Sequence, residues 1–303
     1  MYYLDTNKPV IYFEKILNDD IYVDKSMLIE KTNQKLGKRN CHLCITRPRR
    51  FGKTSNISTL GANYTLGYDA QSLFKGLKIE KSGSFQEHLN KHHVIYIDFS
   101  RMPKMCKSYE MYLNHIHYRL MNEICEVFSL NANNYDTLDE ALCDTNEKFI
   151  FLLDEWDSIF YEDFMSENDK KNYLKFLKGL LKDQPYVELA FMTGVLPIAK
   201  YTKGSELNMF DECNFLNDNE YEDFYGFGEA EVKELCKIHP KPGYEELKYW
   251  YDGYYKSDDS SLFNPRSVSF ALSKGKCQNY WTETGPMNEI ADVIEHNVDE
   301  ESC

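Results

Sequence analysis

Gly52-Lys53-Thr54 is the tripeptide of this sequence best suited to hold phosphate. It follows an apolar run (Cys41, Leu43, Cys44, Ile45) and the basic loop Arg47-Pro48-Arg49-Arg50-Phe51. It precedes a segment, from Thr54 and Ser55 onward, that can start a helix. Strand, loop, Gly-Lys-Thr and helix is the layout of a phosphate-binding loop. Amides at the helix N-terminus face the phosphates, the Lys reaches the outer ones, and the Thr hydroxyl ligates Mg²⁺. Residues Arg47, Pro48, Arg49, Arg50, Phe51, Gly52, Lys53, Thr54 and Ser55 are the candidate binding residues. The usual loop opens on Gly; here Arg47 stands at that position.

A second motif lies about a hundred residues on, in Lys148-Phe149-Ile150-Phe151-Leu152-Leu153-Asp154-Glu155-Trp156-Asp157. The five apolar residues Phe149–Leu153 read as a fully buried parallel strand. Two carboxylates at its end are costly to place without a partner. In nucleotide enzymes the partner is Mg²⁺, held by the Asp, while the next Glu polarises the attacking water. Thr54 and Asp154 are therefore the candidate metal ligands, and Lys53 and Glu155 candidate catalytic groups. The competing reading is a strand that runs out into a solvated acidic turn. Gly52-Lys53-Thr54 upstream, in the right order, favours the nucleotide site.

The elements that must position these residues follow from periodicity. Strands are expected at 41–46, 94–99, 149–153, 187–192 and 213–216. A long amphipathic helix carries Tyr109, Tyr112, Leu113, Ile116, Leu120, Ile124 and Val127 on one stripe. Another carries Tyr173, Leu174, Leu177, Leu180 and Leu181, with Lys170, Lys171, Lys175 and Lys178 outside. A helix is expected from Ser26, its N-cap, to Lys35. The helix after the loop is a poor one: Ser, Asn and Thr compete for the backbone, and Gly61 costs ~1 kcal/mol against Ala. It is expected to pack loosely and to hold its N-terminal amides weakly. Residues 130–147 read as polar loop.

With the text around them, the two motifs resemble the AAA-ATPase-like family of P-loop proteins, whose loop reads RPRRFGK[ST]. Tyr22-Val23-Asp24-Lys25-Ser26, Ile97-Asp98-Phe99-Ser100, Met192-Thr193-Gly194-Val195, Tyr225-Gly226-Phe227, Trp250-Tyr251-Asp252-Gly253-Tyr254 and Asn264-Pro265 fit as well. The resemblance implies an α/β fold: a P-loop NTPase parallel sheet in strand order 5-1-4-3-2, flanked by helices and followed by a small helical lid. The implied organisation is a core over 1–217, a lid over 218–285 and an acidic tail over 286–303. The order puts Thr193, at the tip of strand four, in the place of a γ-phosphate sensor; a turn residue is the alternative. The implied cofactors are ATP and Mg²⁺. Tyr22 or Val23 is a candidate surface for adenine, the alternative being a segment that only packs on the sheet edge. Arg266, where the family more often has an aromatic residue, is a candidate phosphate contact or else a surface Arg, and Lys200 and Lys203 are further candidate cationic contacts. Many relatives of this class complete the site with an Arg from a neighbouring subunit, so a homo-oligomer is one possible arrangement, and no such Arg stands out in this sequence. A nuclease-like domain of the PD-(D/E)xK type often follows in this family, and no such motif is found here.

Composition bounds the rest. A chain of 303 residues with 42% hydrophobic content has enough apolar surface for a sizeable core. A net charge of −14 argues against a broad nucleic-acid surface and makes the basic loop at 47–50 stand out as a local anion site. No run of apolar residues reaches membrane-spanning length, and the N-terminus lacks the form of a signal peptide. Nine scattered cysteines point to an intracellular, cytoplasmic protein without a disulfide framework. Cys41 and Cys44 have redox or metal spacing but lie in a strand, where they read as small hydrophobes. Two functional readings remain: an ATPase, or a nucleotide-dependent interaction switch or scaffold with little or no turnover.

Overall fold

The computed structural model describes residues 2–201, 206–214, 218 and 220–280. They fall into two compact units. One is made of the chain up to Arg47 and from Lys53 to Asn217. The other is made of Pro48–Gly52 and the chain from Asp218 on.

In the first unit the elements run α1 (Lys8–Leu17), α2 (Leu28–Asn33), β1 (His42–Thr46), α3 (Lys53–Tyr64), α4 (Phe85–His88) and β2 (His93–Asp98). Then come α5 (Tyr109–Val127), α6 (Leu138–Asp144), β3 (Phe149–Asp154), α7 (Glu167–Leu181), β4 (Val187–Gly194) and β5 (Asp211–Cys213). The five strands form one parallel sheet in the order β2-β3-β4-β1-β5. Read from the other edge this is the expected 5-1-4-3-2. β1 and β3 are buried along their whole length, as sheets covered on both faces require. The open edge of β2 is met by the N-terminal segment, where Leu4 bridges Ile95 in antiparallel sense.

The stripe of α7 is buried as expected: Tyr173, Leu174, Leu177, Leu180 and Leu181 all enter the core. That of α5 departs at its end, where Val127 is exposed and Met121 and Cys125 are buried instead. Ser26 is not an N-cap. α2 begins at Leu28 with no side-chain cap, and the buried Ser26 hydroxyl accepts from the Ile79 N–H at 3.2 Å. β5 lies two residues earlier than expected, because Asp211 and Glu212 occupy an edge strand that tolerates charge. Leu216, placed in that strand from the sequence, lies outside the described residues. Helix α6 was missed in a stretch read as loop, though Thr137 and Glu140 form a capping box at its start.

The largest correction concerns α3. Its polar sequence does not make it loose: Asn56 to Tyr64 are all buried. It packs against α1, α2 and three strands of the sheet. Gly61 is where α1 comes closest, since a Cβ there would lie 2.4 Å from Pro9 Cβ. The missing side chain that weakens the isolated helix is what lets the two helices meet.

The second unit holds β6 (Phe227–Gly228), α8 (Glu229–Ile238), α9 (Tyr244–Tyr251), β7 (Asp252–Tyr255), β8 (Ser261–Phe263) and α10 (Pro265–Lys274). Three helices sit where expected; the Asn264 side chain caps α10, accepting from the Ser267 N–H, and Pro265 occupies its first turn. The reading of this region as helical was incomplete. β6, β8 and β7 form a small antiparallel sheet, and Asp252-Gly253, directly after the end of α9, opens β7. Strands of two to four residues are too short to show a period. Residues 286–303, expected as an acidic tail, lie outside the described residues.

Candidate functional site

β1 ends at Thr46, and the Arg47 N–H extends its pairing by donating to the Gly194 carbonyl at 3.1 Å. The Arg47 side chain is buried, and its Nη1 donates to the carbonyls of Thr46 at 2.8 Å and Cys213 at 2.9 Å. At the position where the usual loop has Gly, this chain has an Arg that fastens β1 to β5.

α3 begins at Lys53, which is only 4% exposed. Its Nζ donates to the Arg47 carbonyl at 3.0 Å and lies 3.6 Å from Glu155 Oε1. The next residue, Thr54, donates its hydroxyl to Asp154. Asp154 closes β3 and is almost wholly buried; its Oδ1 also accepts the Thr193 hydroxyl at 2.6 Å. Burial pushes the Asp154 carboxyl up to about 6, against the pull of these two hydroxyls and with the neighbouring Glu155 charge adding to the rise. Glu155 has a left-handed backbone, φ 50°, an uncommon and costly conformation for a side chain of this kind.

The fold therefore brings together Lys53, Thr54, Asp154, Glu155 and Thr193, three stretches of sequence named for one chemistry. Carboxylate and hydroxyl oxygens converging at Asp154 are hard donors of the type Mg²⁺ takes. Ser55 follows on α3, half-buried, its carbonyl accepting the Thr59 hydroxyl.

The remaining loop residues belong to the second unit. There Phe51 is buried, its ring edge-on to Tyr254 at 4.7 Å, and its carbonyl accepts the Gly226 N–H at 3.1 Å. Arg50 takes φ 70° and donates to the Tyr280 carbonyl at 3.4 Å. Pro48 is half-buried and Arg49 exposed, the latter's carbonyl accepting from Asn264 at 3.5 Å. Arg266 is exposed and lies over the Phe270 ring at 4.6 Å. Lys200 is exposed in the turn after β4, Tyr22 and Val23 are half-buried, and Lys203 lies outside the described residues.

Asp157 was overlooked. It is 1% exposed, and its Oδ2 accepts two successive N–H groups, Val195 and Leu196, each at 3.0 Å. Its signal was in the motif, a third acid three residues after Asp154.

Comparison with known proteins now decides the family. A family model described as predicted AAA-ATPase matches residues 10–202. The chain belongs to the AAA-ATPase-like family. A curated relative in this comparison, an uncharacterised protein from the vnfD 5′ region of Azotobacter chroococcum mcd 1, is 24% identical over 293 residues. That match covers 93% of this AAA-ATPase-like chain and 54% of the relative, so the chain spans about half the relative's length. Among solved structures, Caenorhabditis elegans PCH-2 is 13% identical, with 97% of this chain and 70% of that one covered and a TM-score of 0.32. The Aeropyrum pernix ORC2 protein in ADPNP–ADP complexes is 10% identical, with 96% and 68% covered and a TM-score of 0.37. Neither likeness is strong enough to place a ligand or partner on this chain. Among the described residues no helix is long and apolar enough to cross a membrane, and no group of three or more His, Cys, Asp or Glu is arranged to hold a metal.

Proposed function

We propose that this AAA-ATPase-like chain binds ATP with Mg²⁺ and hydrolyses it. The observation that carries the reading is the convergence on Asp154: Thr54 from the start of α3 and Thr193 from the tip of β4 both reach its buried carboxylate, beside the Lys53–Glu155 pair. Thr54 and Asp154 are the ligands offered to Mg²⁺, which when bound supplies charge neutralisation to the phosphates. Lys53, at the N-terminus of α3, meets the outer phosphates. Doing so draws its ammonium away from Glu155, leaving that carboxylate to orient the attacking water and take its proton. Thr193 reports on the γ-phosphate through its hydroxyl. Arg47 acts by holding β1.

A second reading, a nucleotide-dependent interaction switch with little turnover, is favoured by Arg47. Its Nη1 donates to the carbonyls of Thr46 and Cys213, so a side chain fastened to the sheet stands where the usual loop has the open backbone of Gly.

Two measurements test the proposal. Mg·ATP at a hundred times its Kd stabilises a fold by about 2.7 kcal/mol, and the corresponding thermal shift is expected in wild type and absent in Lys53→Ala. Glu155→Gln is expected to keep the shift and lose turnover by about 10²-fold or more. An equal shift in Lys53→Ala would remove the nucleotide from this site. A slow wild-type rate matched by Glu155→Gln would replace the ATPase by the switch.

A further inference from the structure

The turn after β3 is tied to the tip of β4 more firmly than strand pairing alone requires. The Trp156 N–H donates to the Thr193 carbonyl at 3.0 Å. The Trp156 carbonyl accepts the Tyr173 hydroxyl at 2.8 Å, and its indole sits edge-on to Phe160 and Tyr201. The Glu155 carbonyl accepts the Ser158 N–H at 2.9 Å. Into this frame Asp157 sends one carboxylate oxygen to the amides of Val195 and Leu196. Its other oxygen, Oδ1, is buried without a hydrogen-bond partner, as is Trp156 Nε1. Both press on Gly194: a Cβ there would lie 2.4 Å from Trp156 Nε1 and 2.8 Å from Asp157 Oδ1. Only glycine admits the turn this close.

The two segments so joined are those that carry Glu155 and Thr193. Glu155 is held in a left-handed conformation between β3 and the Asp157 anchor, so the turn sets the direction in which its side chain leaves the backbone. A buried carboxylate that accepts two successive amides holds the backbone it grips, since losing it would leave both N–H groups unsatisfied.

We propose that Asp157 is a positioning residue: by gripping the Val195 and Leu196 amides it holds Glu155 and Thr193 as one unit, so that the γ-phosphate end of the bound nucleotide is read by both together. This rests on the nucleotide reading above. Asp157 itself touches neither substrate nor metal.

The test compares wild type, Asp157→Ala and Asp157→Asn, the last keeping a carbonyl that accepts from both amides. ATP turnover, Kd for a fluorescent ATP analogue and amide hydrogen exchange of 193–196 are measured. In Asp157→Ala, Kd is expected to move less than about threefold while kcat falls about 10²-fold, the separation a misplaced catalytic group produces. Exchange at Val195 and Leu196 rises and stops responding to a non-hydrolysable ATP analogue. Asp157→Asn recovers that response and turnover to within about tenfold of wild type. If Asp157→Ala does not fold, Asp157→Ser replaces it, a polar group too short to reach both amides. Wild-type turnover in the Ala variant, or equal loss of binding and turnover with no recovery in Asn, overturns the role of Asp157 alone. A wild type that binds no nucleotide overturns the nucleotide reading and this inference with it. If the wild type binds without turnover, the exchange response decides: its persistence in Asp157→Ala overturns the inference, and its loss there with recovery in Asn supports it.

Discussion

Helices α3 and α7 flank the same sheet by opposite means. α7 buries one stripe, Tyr173, Leu174, Leu177, Leu180 and Leu181, and leaves Lys171 and Lys175 in water. α3 buries every residue from Asn56 to Tyr64, among them Asn56, Ser58, Thr59, Gly61 and Asn63. The first is held by apolar area, the second by closeness. Thr59 and Thr65 return their hydroxyls to carbonyls one turn back, at 3.0 and 2.6 Å, and so need no outside partner. Tyr64 closes the end of α3 on α2, its hydroxyl 2.7 Å from both Thr32 and Asn33. Burial is thus a poor proxy for hydrophobicity when small side chains let backbones approach. The helix packed this way is the one whose first residues, Lys53 and Thr54, carry the candidate chemistry.

The comparison can be broken by substitution. Leu177→Ala on α7 removes a fully buried side chain from the main core and is expected to cost about 2–5 kcal/mol in urea unfolding. A loss below about 1 kcal/mol would mean that α7 is not held by its stripe. Next comes Gly61→Ala on α3. Propensity favours Ala by ~1 kcal/mol, but the new methyl meets the Pro9 ring, which cannot rotate away. A net loss of about 1–3 kcal/mol is expected, with Mg·ATP affinity falling if the start of α3 shifts. If Gly61→Ala were stabilising, close packing would not be what holds α3.

What could be read from the sequence follows the same division. The buried runs of β1 and β3 and the stripe of α7 announce themselves because a long apolar pattern has one interpretation. Lys53, Thr54, Asp154, Glu155 and Thr193 were legible as residue types at strand ends, and the fold brings them together. The packing of α3 was not legible, since nothing in Asn-Ile-Ser-Thr-Leu-Gly states that Pro9 lies opposite. α6 and the three short strands of the second unit carry too few residues for a period. Asp157 was hidden by its neighbours: beside Asp154 and Glu155 it looked like one more acid in an exposed turn, and only the Val195 and Leu196 amides give it a task.

Gly179 supplies the control for Gly61. It is exposed on α7 with nothing near its absent Cβ, so only propensity acts. Gly179→Ala is expected to stabilise by about 0.5–1 kcal/mol, opposite in sign to Gly61→Ala. Two variants of the same chemistry that moved stability in the same direction would erase the distinction between the helices.

The smallest expected effect concerns a third way in which this unit keeps polar groups, a charge pair at the edge strand. His93 on β2 meets Asp5 of the N-terminal segment at 2.6 Å, both side chains about one-fifth exposed. The hydrogen bond to Asp5 raises the His93 pKa above its ordinary value, burial opposing and the Asp5 charge assisting. A raised folded value means that the pair's stability is fully present below the unfolded pKa of about 6.5 and is lost as pH rises through the folded one. The other pair near this edge, Glu188 with His92, behaves oppositely: its hydrogen bond to His92 lowers the Glu188 pKa, so its contribution is present above the ordinary glutamate pKa and lost in acid, and it is common to wild type and Asp5→Asn. Between about pH 6 and pH 8 wild type should therefore lose up to about 1 kcal/mol more than Asp5→Asn does. The histidines whose pKa is lowered by desolvation, the buried His42 and the half-buried His117 among them, titrate alike in both proteins and cancel in that difference. Identical pH profiles for the two would show that the N-terminal segment is held on β2 by its backbone bonds and the Glu123 carboxylate, which accepts the N–H groups of Tyr3 and Leu4, without help from the His93 charge.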